Sequence, residues 1–234
     1  MLLYIVRHGD PIYETDTLTE RGRQQAEAVS KRMQRAGINQ IYSSPMGRAR
    51  ETAAPTCKLL NLPCQIEEWA HEIGDERLTP YPDGKMKSIT NLQNTVYRRD
   101  GNINLSYEDA YTCTGICETR MREAVAFIEQ NGRDFLHRLG YQEENGVYRI
   151  LRPNEDRVAL FCHAALTRAW LSTLLHIPLH MMWSSFSLTH TGITVLEFRN
   201  NPDGFTAPQC LCFSDTSHLY AEGLDLKHCN KIEV

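Results

Sequence analysis

The sequence has no excess of positive charge, no long apolar run and no cysteine pairs at metal-site spacing, and each absence removes a class of function. Twenty-five Lys and Arg against 29 Asp and Glu leave a net charge of -4, so no overall basic field exists to hold nucleic acid or an anionic membrane surface. Any anionic ligand must therefore meet a local cluster of cations. The opening Met1-Leu2-Leu3-Tyr4-Ile5-Val6 has no basic segment ahead of it and meets Arg7 and His8 too early for a signal peptide. The most apolar later stretch, Val158 to Leu175, is broken by His163 and Arg168 and reads as strand plus helix, not as a membrane span. The eight cysteines lack the paired two-residue spacings of a zinc site. With no secretion signal they read as free thiols of a reducing cytosol, and a cytoplasmic location is expected. His71, His176, His180 and His190 likewise show no metal-ligand spacing.

What is present is an ordinary globular composition, 41% hydrophobic and 23% charged over 234 residues, enough for a sizeable core. No repeat or low-complexity linker divides it, so a single domain over residues 1–234 is expected. Leu2 to Val6 does not alternate and is bounded by His8-Gly9-Asp10-Pro11, the pattern of a strand buried on both faces of a parallel sheet. Thr19 then caps a helix with Leu18 before it and Gly37 after it. Ile38 to Ser44 forms a second strand, Pro45 opens a helix toward Asn61 that Pro55 is expected to bend, and Cys64 to Glu68 gives a third strand. Residues from Glu72 to about Gly101 show no period and read as a loop or cap. A helical stripe runs from Glu108 to Gly140, interrupted at Asn131-Gly132. Gly146 to Leu151 and Arg157 to Cys162 read as paired strands, Ala164 to His176 and His180 to Phe186 as helices, and Gly192 to Phe198 with Ala207 to Phe213 as a hairpin. The fold class is α/β: a three-layer sandwich, its central sheet mostly parallel, with helices on both faces.

Three places carry residues suited to chemistry. Arg7-His8-Gly9 follows a buried strand, at the sheet edge where open α/β folds bind ligands. A histidine there acts as nucleophile if one ring nitrogen is held protonated and the other faces substrate, and Gly9 allows a tight turn and close backbone approach. Ser44-Pro45-Met46-Gly47-Arg48 joins a strand to a helix N-terminus, where free N–H groups and the Arg48 fork suit phosphate oxygens. Cys162-His163-Ala164 is a third strand end. If the three strands are neighbours, their cations converge on one crevice, and the chemistry they suit is phosphoryl transfer.

The run Leu3-Tyr4-Ile5-Val6-Arg7-His8-Gly9, then Leu18-Thr19 with Gly22, Ser44-Pro45-x-x-Arg48-Ala49-x-x-Thr52-Ala53 and a strand ending in His163 resembles the histidine phosphatase superfamily, also called the phosphoglycerate-mutase-like family. Thr191 to Phe198 and Asp215 to Leu219 are similar to its last strands and tail. The resemblance implies a phosphoglycerate-mutase-like fold, His8 as a nucleophile that becomes phosphohistidine, and a phosphate pocket of Arg7, Arg48 and His163, with Gly9 and Ala164 lining it. It implies no metal and no cofactor. It also implies a glutamate as proton donor and base after the third strand. Glu67, Glu68, Glu72 and Glu76 lie there, with Glu72 preferred through its spacing to Gly74 and Glu68 second.

Two departures bear on substrate. The stretch between His8 and Leu18 is short, with Glu14 where mutase-type members carry Asn, which weighs against mutase activity. The second motif reads Cys162-His163-Ala164 in place of Gly-His-Gly. An insertion at about residues 76–111 carries Arg77, Lys85, Lys87, Arg98, Arg99, Tyr81, Tyr97 and Tyr107 as candidate recognition residues. The expectation is a metal-independent phosphatase acting on a small-molecule phosphate monoester, with no nucleic-acid or membrane partner. The alternatives are cofactor-dependent phosphoglycerate mutase-type transfer or a non-catalytic phosphate-ester-binding protein.

Overall fold

Leu3 and Ile5 turn to one side of the first strand and Tyr4 and Val6 to the other, and all four are buried. A strand covered on both faces requires a layer on each side, and the computed structural model, which describes residues 1–80 and 84–225, has them. In chain order the elements are β1 (Leu2–Arg7), a ribbon of β2 (Pro11–Ile12) and β3 (Thr17–Leu18), α1 (Glu20–Ala36), β4 (Gln40–Ser43), α2 (Gly47–Leu60) and β5 (Cys64–Ile66). After them come β6 (Leu78–Pro80) and β7 (Met86–Ser88), α3 (Met121–Arg138), β8 (Tyr141–Glu144), β9 (Val147–Ile150), β10 (Arg157–Cys162), α4 (Ala164–Leu174) and α5 (Leu179–Ser185). The last are β11 (Ile193–Glu197), β12 (Phe205–Thr206), β13 (Gln209–Asp215) and α6 (Ser217–Ala221).

The central sheet has the order β13-β11-β1-β10-β4-β5. β1, β10, β4 and β5 run parallel, and β11 and β13 add an antiparallel flank. One apolar layer joins Tyr4, Val6, Ile41 and Phe161 to Val29, Met33 and Ala53 of α1 and α2. The other joins Leu3, Ile5, Leu160 and Leu196 to α3, α4 and α5. Thr19 caps α1 by accepting from the Gly22 N–H at 3.0 Å. No helix among the described residues is long and apolar enough to cross a membrane.

Three expectations need correction. α3 begins at Met121, not at Glu108, where only a 3-10 turn forms, and it is continuous through Asn131-Gly132. Gly132 is there because α3 meets α4 closely: a Cβ at this position would stand 2.3 Å from Trp170 Nε1. Val147–Ile150 does not pair with Arg157–Cys162; it pairs with β8 and β12 in a separate three-stranded sheet, while β10 enters the central sheet. The missed signal is Asn145-Gly146, both at positive φ, a hairpin turn that folds β9 back on β8. The second strand of the last hairpin begins at Gln209, and Phe205–Thr206 leaves for the small sheet. The described part of the aperiodic stretch holds the ribbon of β6 and β7 and three short 3-10 turns. Its Ile89 and Tyr97, with Ala110 and Ile116 from the segment ahead of α3, enter the same core as α3 and α4. The seven described cysteines are free thiols; Cys229 and candidate Tyr81 lie outside the described residues.

Candidate active site

β1, β10 and β4 are adjacent and parallel, with Arg7 opposite Cys162 and Phe161 opposite Ser43. Their carboxyl ends therefore release the chain side by side. The ladder continues one residue past the strands, the His8 N–H donating to the Cys162 carbonyl and the Ser44 N–H to the Phe161 carbonyl, both at 2.9 Å. This register brings Arg7, His8, Ser44 and His163 to one edge, with Arg48 in the first turn of α2 beside them.

His8 is buried, 2% exposed. Its Nδ1 lies 2.7 Å from the Gly9 carbonyl, which can only accept, so Nδ1 carries the proton and Nε2 keeps its lone pair. Burial, then the charges of Arg7 and the His163 ring, hold the His8 imidazole well below the usual histidine range. The His163 ring lies 5.2 Å away between centroids. It too is held well below the usual range, by burial first and by Arg48 and Arg7 next. Both imidazoles are neutral at neutral pH.

The polar groups around His8 are only partly paired. Arg7 Nη1 donates to the Leu188 carbonyl at 2.5 Å, and Arg48 Nη1 to Asp16 Oδ1 at 2.5 Å. His163 Nε2 is 2.8 Å from Ser44 Oγ. In each of the three, another nitrogen is buried without a partner: Nε of Arg7, Nε of Arg48 and Nδ1 of His163. A buried donor left unpaired costs about 1–3 kcal/mol, and such a cluster calls for an occupant with acceptor oxygens.

Glu72 reaches the same edge from the segment after β5. Its carboxylate accepts from the Leu166 and Ile73 N–H groups at 3.0 Å and from the Ala165 N–H at 3.3 Å. That places it at the N-terminal turn of α4, just past His163, with Arg77 Nη1 at 3.7 Å. Glu68 stays exposed on a 3-10 turn, Glu67 is engaged by Arg138 and Trp69, and Glu76 accepts from the Gly74 N–H. Ala164 is the first residue of α4, half-buried. The close approach at Gly9 is to protein: a Cβ there would stand 2.7 Å from the Gly22 carbonyl oxygen, and its N–H donates to Thr52 Oγ1 at 2.9 Å. Of the cap candidates, Arg77 joins this edge. Tyr97 is buried with its hydroxyl on the Ile89 carbonyl, Arg98 binds Ser184 and Ser185, and Tyr107 stacks on His176 at 3.9 Å.

Four residues of this edge are not in the set read from the sequence. Ser44 orients His163. His190 is buried with its ring 5.5 Å from His8 and Nδ1 3.5 Å from Asp10 Oδ1; the Thr191 N–H bonds the His8 carbonyl and so fixes this neighbour. Asp16 holds Arg48. Arg168 on α4 is 9% exposed, its Nε buried and unpaired and its guanidinium 5.4 Å over the Trp183 ring. Burial, then the charge of Arg7, brings it down to about 10, which leaves it protonated at neutral pH. Its only sequence signal is a charge inside an apolar helix.

A neutral imidazole with one free ring nitrogen is thus set among guanidinium groups at the carboxyl edge of a mostly parallel sheet, the edge at which open α/β folds bind ligands. A sequence model of the histidine phosphatase superfamily (branch 1) matches residues 3–83 and 138–207, and the chain belongs to that superfamily. It is 37% identical over 60 residues to a probable phosphoglycerate mutase GpmB of Erwinia tasmaniensis, a match covering 22% of this chain and 28% of that relative. In fold it is similar to a phosphoserine phosphatase of Entamoeba histolytica solved with 3-phosphoglyceric acid, at 22% identity, TM-score 0.61 and coverage of 93% and 98% of the two chains. It is also similar to a mycobacterial glucosyl-3-phosphoglycerate phosphatase, at 20% identity, TM-score 0.59 and coverage of 92% and 99%. A third similar structure is YhfR of Bacillus stearothermophilus, at 19% identity, TM-score 0.61 and coverage of 93% and 98%.

Proposed function

We propose that the protein is a metal-independent phosphatase that hydrolyses a small-molecule phosphate monoester through a phosphohistidine on His8. The observation that carries this reading is the set of buried, unpaired nitrogens of Arg7, Arg48 and His163 around an imidazole whose Nε2 is free. In the first step Nε2 attacks phosphorus and the bond to the ester oxygen breaks. Arg7, Arg48 and His163 donate to the equatorial oxygens, whose charge must be stabilised as the group transfers. Glu72 gives the leaving alkoxide its proton, then takes one from the water that attacks the phosphohistidine, and inorganic phosphate leaves. A positioned acid and base of this kind contributes about 10²–10⁴ in rate.

The substrate class follows from charge beyond the phosphate. Arg168 and Arg77 add positive groups next to Arg7 and Glu72, which suits an ester with a second acid group. We take residues 1–234 as one cytoplasmic domain whose segment at about 76–111 covers this end of the sheet. The family model leaves residues 84–137 unmatched, in keeping with an insertion there. No nucleic-acid or membrane partner enters this reading.

The test is hydrolysis of p-nitrophenyl phosphate in the presence of a chelator, wild type beside His8→Ala. The expected result is turnover that His8→Ala lowers by about 10⁴-fold or more. Turnover that the chelator abolishes, or that survives in His8→Ala, contradicts the reading. The similarity to a probable phosphoglycerate mutase favours a second reading, return of the phosphoryl group to substrate; exchange between phosphoglycerate isomers in place of phosphate release would support it.

A further inference from the structure

The short segment between His8 and Leu18 also reaches the phosphate pocket. Asp16 adopts a left-handed backbone, φ 53, a conformation that costs a non-glycine residue energy and that Asp and Asn tolerate better than most. That turn aims its carboxylate back at the start of α2. Oδ2 accepts the Gly47 N–H at 2.6 Å and Oδ1 accepts Arg48 Nη1 at 2.5 Å. Arg48 is 5% exposed. Nη2 lies 3.4 Å from the Met46 sulfur, and the Tyr13 ring stands over the guanidinium at 5.5 Å.

We propose that Asp16 is the positioning residue of the phosphate pocket: its carboxylate clamps one corner of the Arg48 fork against the helix N-terminus, so that the buried, unpaired Nε faces the phosphoryl group. The proposal rests on the phosphatase reading of the site. A guanidinium is planar, and fixing Nη1 fixes the direction of its other donors. Without the clamp a long Arg side chain loses its single geometry, and misplacement of about 1 Å in such a contact costs on the order of 10² in rate. The carboxylate does not touch the phosphoryl group and acts through Arg48.

The sign of the effect separates this role from simple charge. If Asp16 merely neutralises Arg48, its removal raises the local positive potential and tightens anion binding. If it positions Arg48, removal weakens binding although the pocket becomes more positive. Asp16→Asn keeps an acceptor for the Gly47 N–H and tolerates the left-handed backbone, while Asp16→Gly removes the clamp and relieves the backbone. The readouts are kcat and KM for p-nitrophenyl phosphate and the affinity for inorganic phosphate by calorimetry, for each variant alone and combined with Arg48→Ala.

The expected result is a KM about tenfold higher in Asp16→Asn, a matching loss of phosphate affinity, at least as large an effect in Asp16→Gly, and no further loss when either is added to Arg48→Ala. Unchanged or tighter phosphate binding overturns the proposal. So does a lowered melting temperature with unchanged KM, which would make Asp16 a helix cap alone, and so does an effect of undiminished size in the Arg48→Ala background. These three outcomes leave the phosphatase reading standing. A wild-type protein that neither turns over the ester nor binds phosphate overturns both.

Discussion

The carboxyl edge of the sheet and the segment between β5 and α3 border the same site but are built in opposite ways. At the sheet edge Arg7 ends β1 and His8, Ser44 and His163 each follow a strand, so the ladder of β1, β10 and β4 fixes where these four emerge. Cations there keep unpaired buried nitrogens. Among the described residues from 68 to 120 the backbone runs through short 3-10 turns and one two-stranded ribbon. Its order comes from side chains sunk in the core, such as Tyr97 and Ile89, and most of its polar groups are spent on protein partners. The edge stores its cost as unsatisfied donors; the segment covers the core and contributes Glu72 and Arg77.

Substitutions that sharpen the contrast differ in size and in kind. Arg48→Ala removes a donor from the phosphate pocket and should lower kcat/KM by about 10²–10³-fold, as loss of one preorganised donor does, with little change in melting temperature; equal activity would break the comparison. Glu72→Gln should lower turnover of alkyl phosphates by about 10²-fold. It should affect p-nitrophenyl phosphate far less, because that leaving group needs little acid help. A loss independent of leaving group would make Glu72 a cap of α4 and nothing more.

Ionisation separates the regions as well. His8 and His163 are held below the usual histidine range, and His218, whose Nε2 is 3.0 Å from Thr191 Oγ1 behind the site, is brought down to about 4, chiefly by burial. The unfolded chain binds these protons at about pH 6.5 and the folded one only at lower pH. Stability is therefore complete above about 6.5 and falls as pH drops toward 4. The tyrosines of the covering segment and the small sheet act in the other direction. Burial pushes Tyr111 and Tyr141 up to about 12, so their contribution is present below about pH 10 and is lost as pH rises through 12. Denaturant midpoints across pH should fall at both ends, and removing His218 with His218→Asn should flatten the acid side alone. The smallest effect expected is that of Tyr97→Phe, which strands the Ile89 carbonyl for about 1–3 kcal/mol with KM and kcat nearly unchanged at temperatures where it stays folded.

The same contrast explains what was legible. β1, α1, β4, α2 and α4 carry unambiguous signals: a buried run, the Thr19 cap, the Gly37 stop and strand-end histidines. Arg7, His8 and His163 come together because a parallel ladder aligns strand ends, and Arg48 joins them because α2 starts just after β4. His190 and Arg168 were not legible. The first reaches His8 because the β11 entrance hydrogen-bonds to His8, and the second from within a helix, and neither placement has a local sequence pattern. Asp16 matters through a left-handed turn that is invisible at the level of residue type. Gly132 misled because a glycine that permits helix contact with Trp170 looks, in sequence, like one that ends a helix. In the covering segment 3-10 turns leave no period to read, and Tyr97 is buried in the core where recognition was expected.

The central claim, a phosphoryl group carried on His8, is tested most directly by mixing the protein with a labelled phosphate ester that has a good leaving group, quenching within one turnover and locating bound phosphate by peptide mass spectrometry. The account predicts an acid-labile, base-stable phosphoryl group on the peptide containing His8, present during turnover, absent from His8→Ala and lost on chase with unlabelled ester. Phosphate release with no protein-bound phosphoryl group at His8, or with the group on another residue, would contradict it.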